Sequence, residues 1–331
     1  MIKVGSRMKK QMLVTGGCGF IGSHFVRVLL NQPEVDVTNI DKLTYAAHPE
    51  LNNAFNQYAN YRFKQIDIAD KQALEAVFDR HYDAIINFAA ETHVDRSIDN
   101  ADVFLQTNII GTYHLLLAVL EGKASKMVQV STDEVYGALH PDEPPFTEHH
   151  PLSPNNPYSA SKASADLLVR SFYKTYKLPL LITRCSNNYG PYQHSEKLLP
   201  KVIKSALQNN KIPIYGHGQQ IRDWLYVEDH CDAIYRVLNE GVPGEIYNIG
   251  GQNEQTNLAM VERIVSYLQN SKDLIMHVKD RPGHDERYGI DSTKIRKELN
   301  WQPKVSLSVG LKRTIDWYLQ SNKGLEIHSD D

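Results

Sequence analysis

The sequence predicts an α/β protein: a doubly wound, mainly parallel sheet joined to a smaller mixed α/β lobe. Three observations carry that prediction. Short apolar runs alternate with longer amphipathic segments through the first half of the 331 residues, a glycine cluster stands between the first run and the first helix, and the alternation loses its regularity in the last third. Strand–helix alternation at this spacing puts helices on both faces of a parallel sheet.

Residues 11–15 form the first strand, and a helix follows from Phe20 to Asn31. A second strand over 35–40 ends at Asp41, and a third covers 62–66. The stretch 71–80 is expected as a helix with Ala73, Leu74, Val77 and Phe78 on one face. A strand within 83–90, a long apolar helix across 100–120 and a strand over 126–132 complete the regular part. After a proline-rich loop at 141–157, a helix runs from Pro157 to Lys177, with proline suited to its first turn. Segments 178–184, 211–215 and 245–250 then supply short strands among helices near 195–209, 229–239, 257–269 and 305–320. The expected division is 10–190 for the sheet domain and 191–322 for the smaller lobe, with some chain crossing back to the sheet.

Composition narrows the partners. Apolar residues make up 41% and charged residues 23%, as in ordinary globular proteins. A net charge of −3 gives no general attraction to nucleic acid or to an anionic membrane, so any anionic ligand must be held by local groups. Cys18, Cys185 and Cys231 are widely spaced, which argues against a disulfide framework and for a reducing cytoplasm. The apolar run before Thr15 is too short for a signal peptide, and no stretch is expected to span a bilayer. Met8 offers an alternative start, with the residues before it a leader.

Gly16-Gly17-Cys18-Gly19-Phe20-Ile21-Gly22 satisfies both G-x-G-x-x-G and G-x-x-G-x-x-G between a strand and a helix. Glycine is required because the turn is tight, backbone must approach a pyrophosphate, and helix must pack close to strand. The helix start adds free N–H groups and partial positive charge. Asp41 lies 19 residues past Gly22, where a carboxylate accepts hydrogen bonds from ribose hydroxyls and repels a 2′-phosphate. Together these features predict a Rossmann-like NAD site; a plain tight turn with a capping aspartate is the alternative. Cys18 reads as a small loop residue.

Tyr158-Ser-Ala-Ser-Lys162 puts a phenol and an ammonium on one helix face. A nearby ammonium favours the phenolate, making Tyr158 a base for a sugar hydroxyl, while Lys162 can also hold the nicotinamide ribose. After the strand at 126–132 comes Thr132-Asp133-Glu134, at a strand's carboxyl end where such sheets bind ligands. Thr132 is placed to donate to a substrate oxygen. Asp133 and Glu134 set an acid beside a base. Read alone, either group would be a solvated turn or helix face.

These residues, with TGGCGFIG, NIDKLTYA, FAAETHVDRSI, STDEVYG, RCSNNYGPYQ, IRDWLYVEDH and RPGHDERY, resemble the extended short-chain dehydrogenases that act on nucleotide-sugars, and among them the dTDP-glucose 4,6-dehydratases. The similarity runs from about residue 10 to about residue 320. It implies that Tyr158 starts an oxidation at C4 of the sugar, that Glu134 removes the C5 proton, and that Asp133 protonates the departing C6 hydroxyl. It further implies that Phe20, Ile21, Asp41, Lys42, Leu43, Thr44, Asp67 and Ile68 line the adenosine half of an NAD site. Phe88, Ala89, Ala90, Glu91, Thr92 and Thr107 then follow the cofactor across the sheet, with Asn188 contacting it later. Thr92, Thr132, Asn187, Lys197, Leu198, Pro213, Tyr215, Arg222, Asn257, Arg281 and His284 become substrate positions. Guanidinium forks at Arg222 and Arg281 suit a diphosphate. His93, His149 and His150 lack metal-ligand spacing, and no metal is expected.

Two other readings stand beside this one: another nucleotide-sugar enzyme, such as a UDP-sugar 4-epimerase or a dehydratase of a different nucleotide-hexose, and a non-catalytic NAD-sensing protein. The acidic pair speaks against an epimerase, and the intact tyrosine and lysine speak against a sensor. The apolar helices at 100–120 and 157–177 suggest a homodimer through a four-helix interface.

Overall fold

The structure is a computed structural model that describes residues 9–280 and 284–325, with side chains to residue 321. The alternative start at Met8 and the expected substrate residue Arg281 lie outside the described residues.

In chain order the elements begin β1 (Lys10–Thr15), α1 (Phe20–Leu30), β2 (Val35–Asp41), α2 (Pro49–Phe55), β3 (Tyr61–Gln65), α3 (Lys71–Glu75), β4 (Ala84–Asn87), α4 (Val94–Asp99), α5 (Asp102–Phe104), α6 (Thr112–Leu120) and β5 (Met127–Thr132). They continue with α7 (Pro157–Tyr176), β6 (Leu180–Cys185), β7 (Asn187–Tyr189), α8 (Leu198–Leu207), β8 (Ile212–Tyr215), β9 (Ile221–Tyr226), α9 (Val227–Glu240), β10 (Ile246–Ile249), β11 (Glu254–Thr256), α10 (Asn257–Tyr267), β12 (Ile275–Val278), α11 (Thr293–Leu299) and α12 (Leu307–Leu325).

The chain forms two compact units. One comprises the described residues up to 135 together with 156–184 and 234–247; the other comprises 136–155, 185–233 and 248 onward. The first unit is built on a seven-stranded sheet ordered β10-β6-β5-β4-β1-β2-β3, confirming the doubly wound α/β class. β1 lies parallel between β2 and β4, so Thr15 faces Ile40 on one side and Asn87 on the other. The strand order reverses beside β1, and a crevice at the carboxyl ends of the strands is the standard ligand position there. Leu13, Ile40, Ile85 and Met127 of the sheet pack with Leu115, Leu116, Leu180 and Ile182 into one core. The second unit pairs β7, β9 and β11 in a small sheet and packs Tyr189, Trp224 and Tyr226 against Ile203, Val261, Ile264 and Ile315.

Several expectations need correction. The helix expected over 71–80 stops at Glu75; Val77 and Phe78 follow in tight turns, bonding back to Leu74 and Glu75. Val77 still reaches the core, because burial does not require the helix to continue. The helical run from Asp102 to Leu120 has a mean hydropathy of 1.5 and is long and apolar enough to cross a bilayer, contrary to expectation. Its Leu115 and Leu116 are fully buried against the sheet and take up part of that apolarity, while Val103, Leu105, Ile110 and Tyr113 stay exposed. A π-helical turn at Leu105–Gly111 interrupts it. At Gly111 a Cβ would come within 2.5 Å of the Ile68 side chain, so a larger residue there would have to displace Ile68.

Candidate active site

The glycine loop owes its shape to two close approaches. At Gly16 the backbone has φ +70°, and a Cβ would sit 2.7 Å from the Ala89 nitrogen; at Gly22 a Cβ would sit 2.2 Å from the Gly16 oxygen. Those contacts press α1 onto the loop, so that the helix begins at Phe20, immediately after Gly19. Asn39 braces the loop from β2, its Oδ1 accepting from Gly17 N at 3.0 Å. Asp41 accepts from Cys18 N at 2.9 Å and from Leu43 N at 2.8 Å. Leu43 holds φ +58° to complete that bond, an uncommon conformation for a bulky residue. Burial raises the Asp41 pKa, with the two backbone donors opposing it. The Cys18 thiol is pushed up to about 12, first by burial and then by Asp41, so it stays protonated and inert.

An open cleft with about 580 Å³ of atom-free space runs along this edge. Gly16, Gly19, Asp41, Lys42, Thr44, Asp67, Ile68, Phe88, Ala89, Ala90, Glu91 and Thr107 line it, all of them expected from the sequence. Ile40, Ala46, Ala47 and Ile66 also line it and were not anticipated; their signal is position, at or just past the ends of β2 and β3. The cleft fits a dinucleotide. A bare glycine cradle, the start of helix α1 and a buried carboxylate at the second strand are the set that NAD requires.

The catalytic candidates gather in the same unit. β5 is buried along its length and delivers Thr132 into a 3-10 turn, Asp133–Tyr136. The Thr132 hydroxyl donates to Asp133 Oδ1 at 3.3 Å and accepts from Glu134 N at 3.3 Å, so one hydroxyl orders the acidic pair. Asp133 is 2% exposed, whereas Glu134 is only half-buried. On α7, Asn156 and Ser159 form a capping box with Pro157 at the first position, which fixes where the helix begins. Tyr158 and Lys162 sit one turn apart, both buried. Lys162 Nζ donates to Val130 O at 2.8 Å and ties the helix to β5 two residues before Thr132. Phe104 meets the Tyr158 ring edge-on, and the Ser97 hydroxyl accepts from Tyr158 N at 3.1 Å.

Asn108 was missed. From the π-turn its side chain accepts from Glu91 N (2.9 Å) and donates to Glu91 O (3.0 Å) and to the Ser161 hydroxyl (2.8 Å). It thus joins the cleft wall to the catalytic helix; Asn108 is 1% exposed, a burial its sequence setting beside Gln106 and Thr107 did not signal. Arg96 stacks on Tyr45 with its guanidinium carbon 3.7 Å from the ring centroid, joining α4 to the segment that lines the cleft at Thr44 and Ala46. Thr92 follows Glu91 beyond the lining residues.

The second unit holds Asn187, Asn188, Lys197, Leu198, Pro213, Tyr215, Arg222, Asn257 and His284. Tyr215 and His284 meet edge-on, and His284 pairs with Asp280 at 2.7 Å. Lys197 caps α8, Leu198 opens it, and Asn257 opens α10. Arg222 is engaged within its own lobe. It donates to Ile221 O at 2.7 Å and Asp285 O at 2.9 Å, and stacks on Tyr288 at 4.2 Å. Asn188 accepts from His230 at 2.9 Å and donates to Ser186 O at 3.0 Å.

Comparison with known proteins agrees with this geometry. A family described as GDP-mannose 4,6 dehydratase matches residues 13–314. A dTDP-glucose 4,6-dehydratase of Escherichia coli is 48% identical, covering 95% of this chain and 94% of its own length. One from Neisseria gonorrhoeae is 47% identical, covering 95% and 96%. The solved dTDP-glucose 4,6-dehydratase DesIV of Streptomyces venezuelae, with NAD bound, aligns at a TM-score of 0.91 and 45% identity over 95% of this chain and 98% of that one. An acidic pair and a Tyr–Lys pair beside a dinucleotide cleft, carried on a sequence this similar, mean that the chain belongs to the nucleotide-sugar branch of the extended short-chain dehydrogenases, among the dTDP-glucose 4,6-dehydratases.

Proposed function

We propose that the chain converts dTDP-glucose to dTDP-4-keto-6-deoxyglucose and water. One observation carries this reading: Asp133 and Glu134 occupy the end of β5, the strand to which the Tyr158–Lys162 helix is tied. Epimerisation at C4 requires no acid–base pair for elimination; loss of water requires both.

Tyr158 takes the proton from the sugar O4, with Lys162 placed one helical turn along to favour the negative phenol oxygen. NAD held in the cleft would supply the redox chemistry, as hydride acceptor for C4 and hydride donor for C6, with no net change over a turnover. A ketone at C4 acidifies the C5–H. Glu134, the more open of the two carboxyls, removes that proton; Asp133, the buried one, delivers a proton to the C6 hydroxyl, which leaves as water. Differing environments are the condition under which neighbouring carboxyls take opposite roles. A proton returned to C5 completes the product. Gly16, Gly19, Phe20, Ile21 and Gly22 would hold the pyrophosphate, and Asp41 the adenosine ribose. Asn188 joins the cofactor contacts, and Asn187, Lys197, Arg222, Asn257 and His284 belong to the lobe that grips the sugar nucleotide.

We also infer a homodimer in a reducing cytoplasm. Ile98, Val103, Leu105, Ile110, Tyr113 and Leu167 are large apolar side chains left exposed on the helices between 94 and 176, and Cys18, Cys185 and Cys231 are all buried free thiols.

The test is to incubate purified protein with dTDP-glucose, and with UDP-glucose in parallel, following the alkaline absorbance of the 4-keto sugar and its mass. Loss of one water from dTDP-glucose without added reductant, and a much weaker signal from UDP-glucose, is expected. Interconversion of UDP-glucose and UDP-galactose with no water lost would overturn the reading in favour of an epimerase.

A further inference from the structure

The adenosine end of the cleft contains an apparent contradiction. Asp41 is the carboxylate that disfavours a 2′-phosphate, yet the next residue, Lys42, lines the same cleft and carries the opposite charge. A free ammonium there would attract a phosphate group and blunt the selection that Asp41 makes.

Lys42 is not free. Its Nζ lies 2.7 Å from Asp67 Oδ2. Asp67 is set in place independently of the lysine: its Oδ1 accepts from Ala69 N at 2.9 Å, and its carbonyl accepts from Asp70 N at 3.0 Å. The turn that carries it is anchored beside Asp41 by the bond from Ile66 N to Asp41 O at 3.0 Å. The β2–β3 register puts Asp41 opposite Gln65, so Asp67 follows two residues beyond the paired strands, on the cleft side. Asp41, Lys42 and Asp67 together leave a net charge of −1, with the cation bound to one of its two neighbours.

We propose that Asp67 is a specificity-determining residue: by holding Lys42 in an ion pair it cancels the charge that would otherwise draw a 2′-phosphate, and so sets the preference for NAD over NADP. Asp41 repels the phosphate, and Asp67 removes the group that would welcome it. This rests on the cleft being the dinucleotide site and not on the dehydration chemistry.

The experiment is equilibrium binding of NAD and of NADP to cofactor-stripped protein, read by intrinsic fluorescence and by thermal shift. Asp67→Asn keeps an oxygen for Ala69 N but discards the charge. It should move the NADP-to-NAD affinity ratio about tenfold towards NADP, the scale of one partly screened charge interaction. The double variant Lys42→Met/Asp67→Asn should lose that gain. Lys42→Met alone, at a half-exposed side chain, should weaken NADP severalfold further because Asp67 is then uncompensated. An unchanged ratio in Asp67→Asn, a gain that persists in the double variant, or stronger NADP binding in Lys42→Met would each overturn the proposal. If wild-type protein bound neither dinucleotide, the cleft assignment itself would fall. NAD binding without turnover of dTDP-glucose would count against the dehydratase reading alone.

Discussion

The two units use buried polar groups in opposite ways. In the first, Thr132, Asp133, Tyr158 and Lys162 are buried at a strand end and a helix start; the Thr132 hydroxyl orders Asp133, and Lys162 ties its helix to the Val130 carbonyl of β5. In the second, Asp223 is buried to bind backbone: its carboxylate accepts from Gly251 N at 2.7 Å and Asn253 N at 2.6 Å. His230 lies fully buried, its Nδ1 donating to Asn188 Oδ1 because the Asn188 amide nitrogen already serves Ser186. Equal burial therefore does not mark equal function. What separates Asp133 from Asp223 is the partner: a hydroxyl at a strand's carboxyl end for the one, the chain's own amides for the other.

The largest expected effect tests the reactive side. Glu134→Gln should lower turnover by roughly 10²–10⁴-fold, the usual contribution of one acid–base group, while the denaturation midpoint stays near that of the parent. Rapid-quench analysis should then find a 4-keto hexose that has not lost water. Full-speed elimination in this variant would take Glu134 out of the mechanism.

The next effect belongs to the structural side. Asp223→Ala removes the acceptor of Asn253 N and the nearer of the two acceptors of Gly251 N, whose other is Ser186 Oγ, and should cost about 1–3 kcal/mol of stability, measured by urea unfolding. A variant that unfolds like the parent but turns over slowly would erase the contrast between the units.

The smallest effect is one of pH. Burial holds the His230 pKa down at about 3, against an ordinary 6.5. The folded chain then binds fewer protons there than the unfolded chain, so the contribution is complete above pH 6.5 and is lost as pH falls towards 3. At pH 5 the loss is about 2 kcal/mol. Unfolding midpoints across pH 5–7 should show that slope, and His230→Gln should flatten it by about one proton. An unaltered slope would mean that another group carries it.

The same division governs what the sequence reveals. Gly16–Gly22, Asp41, Asp133–Glu134 and Tyr158–Lys162 are legible because each is a local pattern whose chemistry depends on neighbours within a few residues. Strand β9 is hidden because Arg222 and Asp223 interrupt its apolar run. Both are buried only because Asp285, Gly251 and Asn253, some 30 to 60 residues away, meet their charges. Arg222 is recognisable as a guanidinium suited to a diphosphate, but its engagement with the Ile221 and Asp285 carbonyls could not be read from type or spacing. Asn108 was missed because it stands beside Gln106 and Thr107 like any polar residue, and its partners, Glu91 and Ser161, come from two other segments. The extent of α3 was misjudged because apolar spacing reports burial, and tight turns after Glu75 bury Val77 as well as a helix would.

The placement of β10 has a consequence for how the chain is made. It completes the sheet at the outer side of β6, yet it is encoded after the whole stretch 185–233 that belongs to the second unit. During synthesis β6 leaves the ribosome with one side unpaired and stays so until β10 follows. A nascent chain in that interval presents an open strand edge, the surface on which sheets of different molecules join. Translation rate through the second unit, and chaperones that shield strand edges, therefore bear on yield separately from the stability of the finished chain.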